Sequence, residues 1–205
     1  MNLDATYEAV EANRVQVVGR VAAERGHVSE YDWLTSHLAD CGQVSYQRRY
    51  RSYWAMNPAR LAASYYEPYF SLLGSPAGLF PGELASLLYR IPSHSSGRHT
   101  LQFSFATKLA HMHDGRLPIY DSRVADFYAF RPPDSALPLN SRISRLCWFY
   151  EFLEREYARV LEQGLLKQSI ALFREQLQPQ RFTDQKIVDS LLWAFASPLG
   201  PAGRQ

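Results

Sequence analysis

Apolar residues recur at intervals of three and four along almost the whole chain, and no stretch alternates cleanly between apolar and polar residues. This spacing places apolar side chains on one face of a helix. Only the run "VSYQRRYRSYW", from Val44 to Trp54, is ambiguous between helix and strand. The pattern therefore predicts an all-α protein, folded as an irregular helical bundle.

Start and stop signals divide the chain into separate helices. The first is predicted over Asp4–Glu24, before Gly26, and Ser29 is predicted to cap a short second helix. Pro68 predicts a break or kink in the helix that ends at Gly74. Further helix starts are predicted at Asn57-Pro58, Pro81, Thr100, Asp121, Asn140 and Thr183.

Composition indicates one globular unit. Hydrophobic residues make up 46% of the chain and charged residues 20%, which is typical of a protein with a real core and too apolar for a disordered one. We predict a single helical domain over 1–196 and a flexible tail over 197–205. If the domain consists of two lobes, we expect them to divide near the proline-rich loop 131–138. The net charge of +2 is too small to indicate a nucleic-acid partner by itself.

The sequence predicts a cytoplasmic protein without a membrane anchor. Its first residues, "MNLDATYEAVEANRV", lack the basic start and apolar core of a signal peptide, and no apolar run reaches membrane length. The two cysteines, Cys41 and Cys147, are far apart and have no ligand-like neighbours, which favours reduced thiols. His111 and His113 point to different faces of a helix, so we predict no metal site and no cofactor.

Two residues in "FSFATKLAHMHDGRLPIYDSRV" are candidates for chemistry. Asp121 stands where a helix is expected to begin, so its carboxylate is predicted to cap that helix and to stay ionised there, ready to stabilise positive charge. Lys108 lies on an otherwise apolar helix face, and three interpretations stay open. Its ammonium can extend to water, form a salt bridge with Asp121, or be desolvated and act as a nucleophile. His111 and His113 are candidates for a pocket beside Asp121.

A basic and aromatic run, "QRRYRSYW", is the best nucleic-acid candidate by composition. Arginines offer contacts to phosphates, and aromatic rings offer faces on which bases stack. The alternative is an ordinary amphipathic element with its rings in the core and its arginines in water. A second aromatic stripe, Trp148 to Tyr157, is predicted to be core. The candidates for nucleic-acid contact are Arg48, Arg49, Arg51, Tyr53, Trp54, Arg98 and Arg123.

The segment "FATKLAHMHDGRLPIYDSRVADF" resembles the helix–hairpin–helix DNA glycosylases, and more narrowly a bacterial group with an 8-oxoguanine glycosylase-like fold. The resemblance covers about a seventh of the chain, roughly Thr100–Tyr128, and "YWAMN" at Tyr53–Asn57 is a further similarity. In that family an aspartate caps a helix and assists base excision, and Asp121 is the residue that matches it. The resemblance thus implies a glycosylase-like helical fold and DNA as partner.

The same segment departs from the family in two places. The glycines of the family's hairpin are missing, since only Gly97 precedes Lys108 nearby. The family's nucleophilic lysine begins its helix, a position nearer to Phe103 or Ser104 than to Lys108. Two hypotheses follow. The protein is a nucleic-acid-binding base-excision enzyme, active or degenerate, or it is a non-catalytic helical module that binds another protein and keeps only the fold.

Overall fold

The computed structural model describes residues 2–24, 26–75, 78 and 80–197. This part of the chain contains eleven α-helices, one short 3-10 helix over Leu38–Asp40, and no strand, which confirms the all-α prediction. In chain order, the helices are α1 (Leu3–Ala12), α2 (Arg14–Ala23), α3 (His27–Ser36), α4 (Val44–Tyr53), α5 (Ala63–Gly74), α6 (Pro81–Tyr89), α7 (Phe103–His113), α8 (Ser122–Phe127), α9 (Leu139–Glu162), α10 (Lys167–Leu177) and α11 (Asp184–Ala196).

Two helices, α7 and α11, run through the interior of the bundle. Helix α11 packs against α1, α2, α8, α9 and α10, and α7 packs against α5 and α6. Consecutive residues are buried from Phe105 to Met112 in α7 and from Lys186 to Leu192 in α11. A helix buried on all sides has no face on which a charged residue reaches water freely. The lysines of both helices must therefore be accommodated inside the protein.

One apolar core includes residues from α1 through α11. The core includes residues before and after the proline-rich loop. Phe130, just before the loop, stacks on Phe149 of α9 with the ring centres 4.0 Å apart. This stacked pair attaches the helices before the loop to the long helix after it.

Local start signals were correct at Pro81, Asp121 and Thr183, where α6, α8 and α11 begin. The prediction at Asn57 was wrong, because residues 57–60 form turns and α5 starts only at Ala63. Arg60 has a positive φ of 50°, a left-handed conformation that a helix cannot include. Helix α5 can therefore begin only after Arg60.

Other predicted boundaries are displaced by one or a few residues. Helix α3 begins directly after Gly26, whose φ of 77° suits glycine, so Ser29 lies inside this helix and does not cap it. The long helix α9 begins after Pro138, and Asn140 lies in its first turn. The predicted first helix is two helices, α1 and α2, separated at Asn13.

Three further predictions concern single segments. Helix α5 continues through Pro68 to Gly74, so of the two alternatives predicted there, a break or a kink, the break was wrong. Trp148 is 62% exposed and does not belong to the core, although its neighbour Phe149 does. Of the predicted tail, residues 198–205 lie outside the described residues. None of the helices in the described ranges combines the length and apolarity required to span a membrane.

Candidate active site

A cavity of about 130 Å³ lies between α3, the end of α4, α7, the start of α8, and α11. A cavity of roughly 150 Å³ is enough to hold one benzene ring, so this space suits a group of about one ring. Its walls combine aromatic rings, two lysines and two aspartates. The lining residues are His27, Tyr53, Trp54, Ala55, Lys108, Ile119, Asp121, Lys186, Asp189, Ser190 and Trp193.

Asp121 caps α8, which confirms its predicted structural role. Its Oδ1 accepts a hydrogen bond of 2.8 Å from the backbone N–H of Val124. The residue is partly exposed and also lines the cavity. The helix start thus holds this carboxylate in a fixed position, where it faces whatever enters the cavity.

The cap gives a stability prediction. We expect Asp121→Ala to lower the free energy of unfolding by about 1 kcal/mol, because the N–H of Val124 loses its acceptor. Asp121→Asn should cost much less, since an amide oxygen still accepts this bond. Urea unfolding of both variants checks the expectation. Equal losses would contradict capping as the source and assign the effect to the charge.

Lys108 does not extend into water, so the interpretation of a surface lysine was wrong. The residue is only 9% exposed, and its Nζ donates a hydrogen bond of 3.2 Å to the backbone oxygen of Trp54. The second interpretation, a salt bridge with Asp121, is wrong as well, because no such pair forms. Burial lowers the pKa of Lys108 to about 8, although the charge of Asp121 acts in the opposite direction. About a tenth of the amine is therefore free at pH 7, far more than for an ordinary lysine.

The second lysine of the cavity, Lys186, was not considered from the sequence. It is 3% exposed, and its Nζ lies 2.9 Å from Oδ2 of Asp189, one turn further along α11. Oδ1 of the same aspartate accepts a weaker bond of 3.4 Å from the hydroxyl of Tyr157. Burial raises the pKa of Asp189, and the ammonium of Lys186 counteracts this effect. The two residues form a buried ion pair, in contrast to Lys108.

The lysine content of the chain is a signal that sequence reasoning missed. Of the 22 lysines and arginines only three are lysines, Lys108, Lys167 and Lys186, and two of these line this cavity. Arginine stays protonated in proteins, whereas a buried lysine readily loses its proton. The chain thus uses arginine for almost every cation and places two of its few amines together.

His27 and Ser190 add a polar pair to the wall. Nε2 of His27 lies 3.2 Å from Oγ of Ser190, and the imidazole stacks on Trp193. Burial, helped by the charge of Lys186, lowers the pKa of His27 to about 3. So weak a base does not take a proton from a serine hydroxyl at neutral pH. The low pKa of His27 therefore does not favour a serine hydrolase.

His111 and His113 are not among the residues that line the cavity. Nδ1 of His111 lies 2.6 Å from the backbone oxygen of Leu117, to which it must donate, so Nε2 accepts from the hydroxyl of Tyr31 at 2.8 Å. Both ring nitrogens are thereby used inside the core. His113 is exposed at a different hollow, beside Phe80. The described residues include no group of three or more potential metal ligands.

The arginines of α4 differ in their availability. Arg49 makes two bonds, of 2.8 and 2.9 Å, to the carboxylate of Glu30, and its guanidinium covers the ring of Trp33. Arg51 lies over the ring of Tyr66. Arg48 is exposed and lines a groove that shares four wall residues with the cavity: His27, Tyr53, Ala55 and Trp193. Among these three arginines, Arg48 is the best placed for a phosphate.

The other candidates for nucleic-acid contact divide into two groups. Tyr53 and Trp54 line the cavity. Arg123 does not line the cavity, but its guanidinium lies 4.1 Å from the ring centre of the lining residue Trp193 and donates a hydrogen bond to the hydroxyl of Ser197. Arg98 is exposed in the loop before α7 and lines neither the cavity nor the groove. The structure thus brings together Tyr53, Trp54, Lys108 and Asp121, with Arg48 and Arg123 nearby.

No protein-family model matches the chain, and no curated protein or solved structure is significantly similar to it. The similarity of residues 100–128 to helix–hairpin–helix glycosylases therefore stays a prediction from the motif. The function has to be argued from the chemistry of the cavity.

Proposed function

We propose that the protein binds nucleic acid and excises a base from it, in the manner of a DNA glycosylase, with Lys108 as the nucleophile. The observation that carries this proposal is the environment of Lys108. Its amine is buried, is without a salt bridge to the nearby Asp121, and lines the cavity that Asp121 also lines. A desolvated lysine whose pKa lies near neutrality is a nucleophile toward carbon, and perturbed amines of this kind concentrate at functional sites.

The reaction follows from the lone pair of the amine. Nζ of Lys108 attacks C1′ of the deoxyribose, a C–N bond forms, and the bond from C1′ to the base breaks. The departing base keeps the electron pair of that bond and takes up the proton that Nζ loses. The lone pair of the nitrogen then forms a C=N bond to C1′ while the ring oxygen leaves C1′ with its electron pair. This oxygen takes up the second proton of the amine, and a Schiff base joins Lys108 to the opened sugar.

The remaining walls support such a substrate. Positive charge develops on the sugar while the base departs, and the fixed carboxylate of Asp121 would stabilise it electrostatically. A base leaves the stack to enter an active-site pocket, where aromatic side chains hold it. Tyr53, Trp54 and Trp193 supply aromatic walls, and the size of the cavity suits one ring.

The alternative is a helical module that binds another protein and has no catalysis. The missing hairpin glycines favour that hypothesis. A binding module, however, has no use for a buried amine without a carboxylate partner, because burial of an ionisable group costs free energy. The cavity around Lys108 therefore favours an enzyme.

The proposal is tested with oligonucleotides that carry single damaged bases or an abasic site. Base release is measured by chromatography, strand cleavage by gel electrophoresis, and Schiff-base formation by trapping with borohydride. We expect release or cleavage, together with an adduct that requires borohydride. Binding without release, cleavage or adduct on every substrate would overturn the catalytic proposal and favour the binding module.

The groove gives a prediction for affinity. If Arg48 contacts a phosphate, Arg48→Gln should weaken nucleic-acid binding and reduce the slope of log affinity against log salt by about one. Arg49→Gln is the matched control, because Glu30 already occupies this guanidinium. Its slope should stay close to that of the wild type. Equal changes in both variants, or no change in Arg48→Gln, would exclude this contact.

A further inference from the structure

The two lysines of the cavity approach the same aromatic ring. Nζ of Lys108 lies 5.7 Å from the ring centre of Trp54, and Nζ of Lys186 lies 5.5 Å from it. One amine comes from α7 and the other from α11, 78 residues further along the chain in sequence. Their partners among the described residues differ, since Lys186 is paired with Asp189 while Lys108 bonds a backbone oxygen.

Among the described residues, the charges that act on Lys108 come from α8 and α11. Asp121, at the start of α8, and Asp189, on α11, favour its protonated form, while Lys186 disfavours it. His27, on α3, faces the same cavity but is neutral near pH 7. Helices α5 and α6 also pack on α7, but neither contributes a residue to the lining of the cavity. Lys186 is thus the cation that opposes the charge of Lys108.

We propose that Lys186 is a positioning residue for the amine of Lys108: its ammonium, held by Asp189, repels a proton from Lys108 and keeps that amine in the form that attacks carbon. The carbon attacked is that of the proposed function, on which the inference rests. A second cation beside a lysine is an established way to activate a nucleophilic amine. It also explains why a chain so poor in lysine buries two of them together.

The ion pair with Asp189 gives this arrangement its stability. Two unpaired ammonium groups in one cavity would repel each other, and either could relieve the repulsion by losing its proton. The carboxylate of Asp189 lies 2.9 Å from Nζ of Lys186 and compensates the charge of that ammonium. Nζ of Lys108 bonds a backbone oxygen instead, and burial lowers its pKa.

The test measures the amine itself, without nucleic acid. The protein is labelled with trace acetic anhydride from about pH 6 to about pH 11, a range that brackets ordinary lysines, and labelling of each lysine is read by peptide mass spectrometry. Lys167, exposed on α10, is the internal reference. In Lys186→Gln we expect the midpoint of Lys108 labelling to rise by about one pH unit, as on loss of a neighbouring cation. In Lys186→Arg, which keeps the charge, the midpoint should stay in place.

An unchanged midpoint in Lys186→Gln, equal shifts in Gln and Arg, or a Lys108 that is unlabelled at every pH would overturn the proposal. If circular dichroism shows that Lys186→Gln does not fold, the labelling is repeated with the double variant Lys186→Gln and Asp189→Asn. This variant removes both charges of the ion pair. The midpoint should then rise by less, because a carboxylate is lost together with the cation, and no rise again overturns the proposal. Failure of base excision would leave these midpoints unaffected, so the two proposals fail separately.

Discussion

Substitution of Lys108 by glutamine is expected to abolish the covalent adduct that borohydride traps between the protein and an oligonucleotide. Glutamine keeps most of the length of the side chain but has no nucleophilic amine. Because the pKa of Lys108 is about 8, adduct formation by the wild type should increase with pH and level off above about pH 8, as the free amine becomes the major form.

The matched control is Lys167→Gln, which removes the exposed lysine of α10 and should leave the adduct unchanged. Denaturing gels report the adduct, and peptide mapping identifies the lysine that carries it. An adduct that persists in Lys108→Gln, or that maps to Lys186, would remove Lys108 from the mechanism. Retained folding of the variant is verified by circular dichroism.

The second large effect concerns stability. Asp189→Asn is expected to lower the free energy of unfolding by about 3–5 kcal/mol, because it leaves the ammonium of Lys186 buried without a counter-charge. Asp184→Asn is the control. Asp184 pairs with Arg174 at 2.6 Å, but both side chains are nearly half exposed, and such surface pairs contribute about 0–1 kcal/mol.

Chemical denaturation of the two variants measures the difference directly. Similar losses in both would show that the pair of Lys186 and Asp189 contributes no more to stability than a surface ion pair. A large loss confined to Asp189→Asn is the expected outcome.

The helical class and several helix starts were predictable because they depend on local interactions. Asp121 and Thr183 accept hydrogen bonds from backbone groups three residues ahead, and Pro81 fits the first turn of a helix by its own geometry. The start predicted at Asn57 failed because a neighbouring residue has a conformation that the sequence does not specify. That residue is Arg60, whose left-handed backbone delayed α5 past the signal at Asn57.

The candidate site was only partly predictable. The motif predicted Asp121 and Lys108 as candidate site residues. It indicated neither His27 nor the pair of Lys186 and Asp189. These residues come from α3 and α11 and meet Lys108 only when the bundle closes. The arginines of α4 show the same limit, because the partner of Arg49 is Glu30, on another helix.

By itself, the sequence determined that this protein is helical, where its best-capped helices begin, and that Asp121 is held at a helix start. Periodicity and capping act over three or four residues, so they can be read along the chain. Only the tertiary structure decided the chemical state of Lys108. Its pKa depends on how much water the packing around α7 excludes and on which charges approach from α8 and α11. Desolvation and charge are properties of the surroundings in space, and these surroundings form only when distant segments pack together.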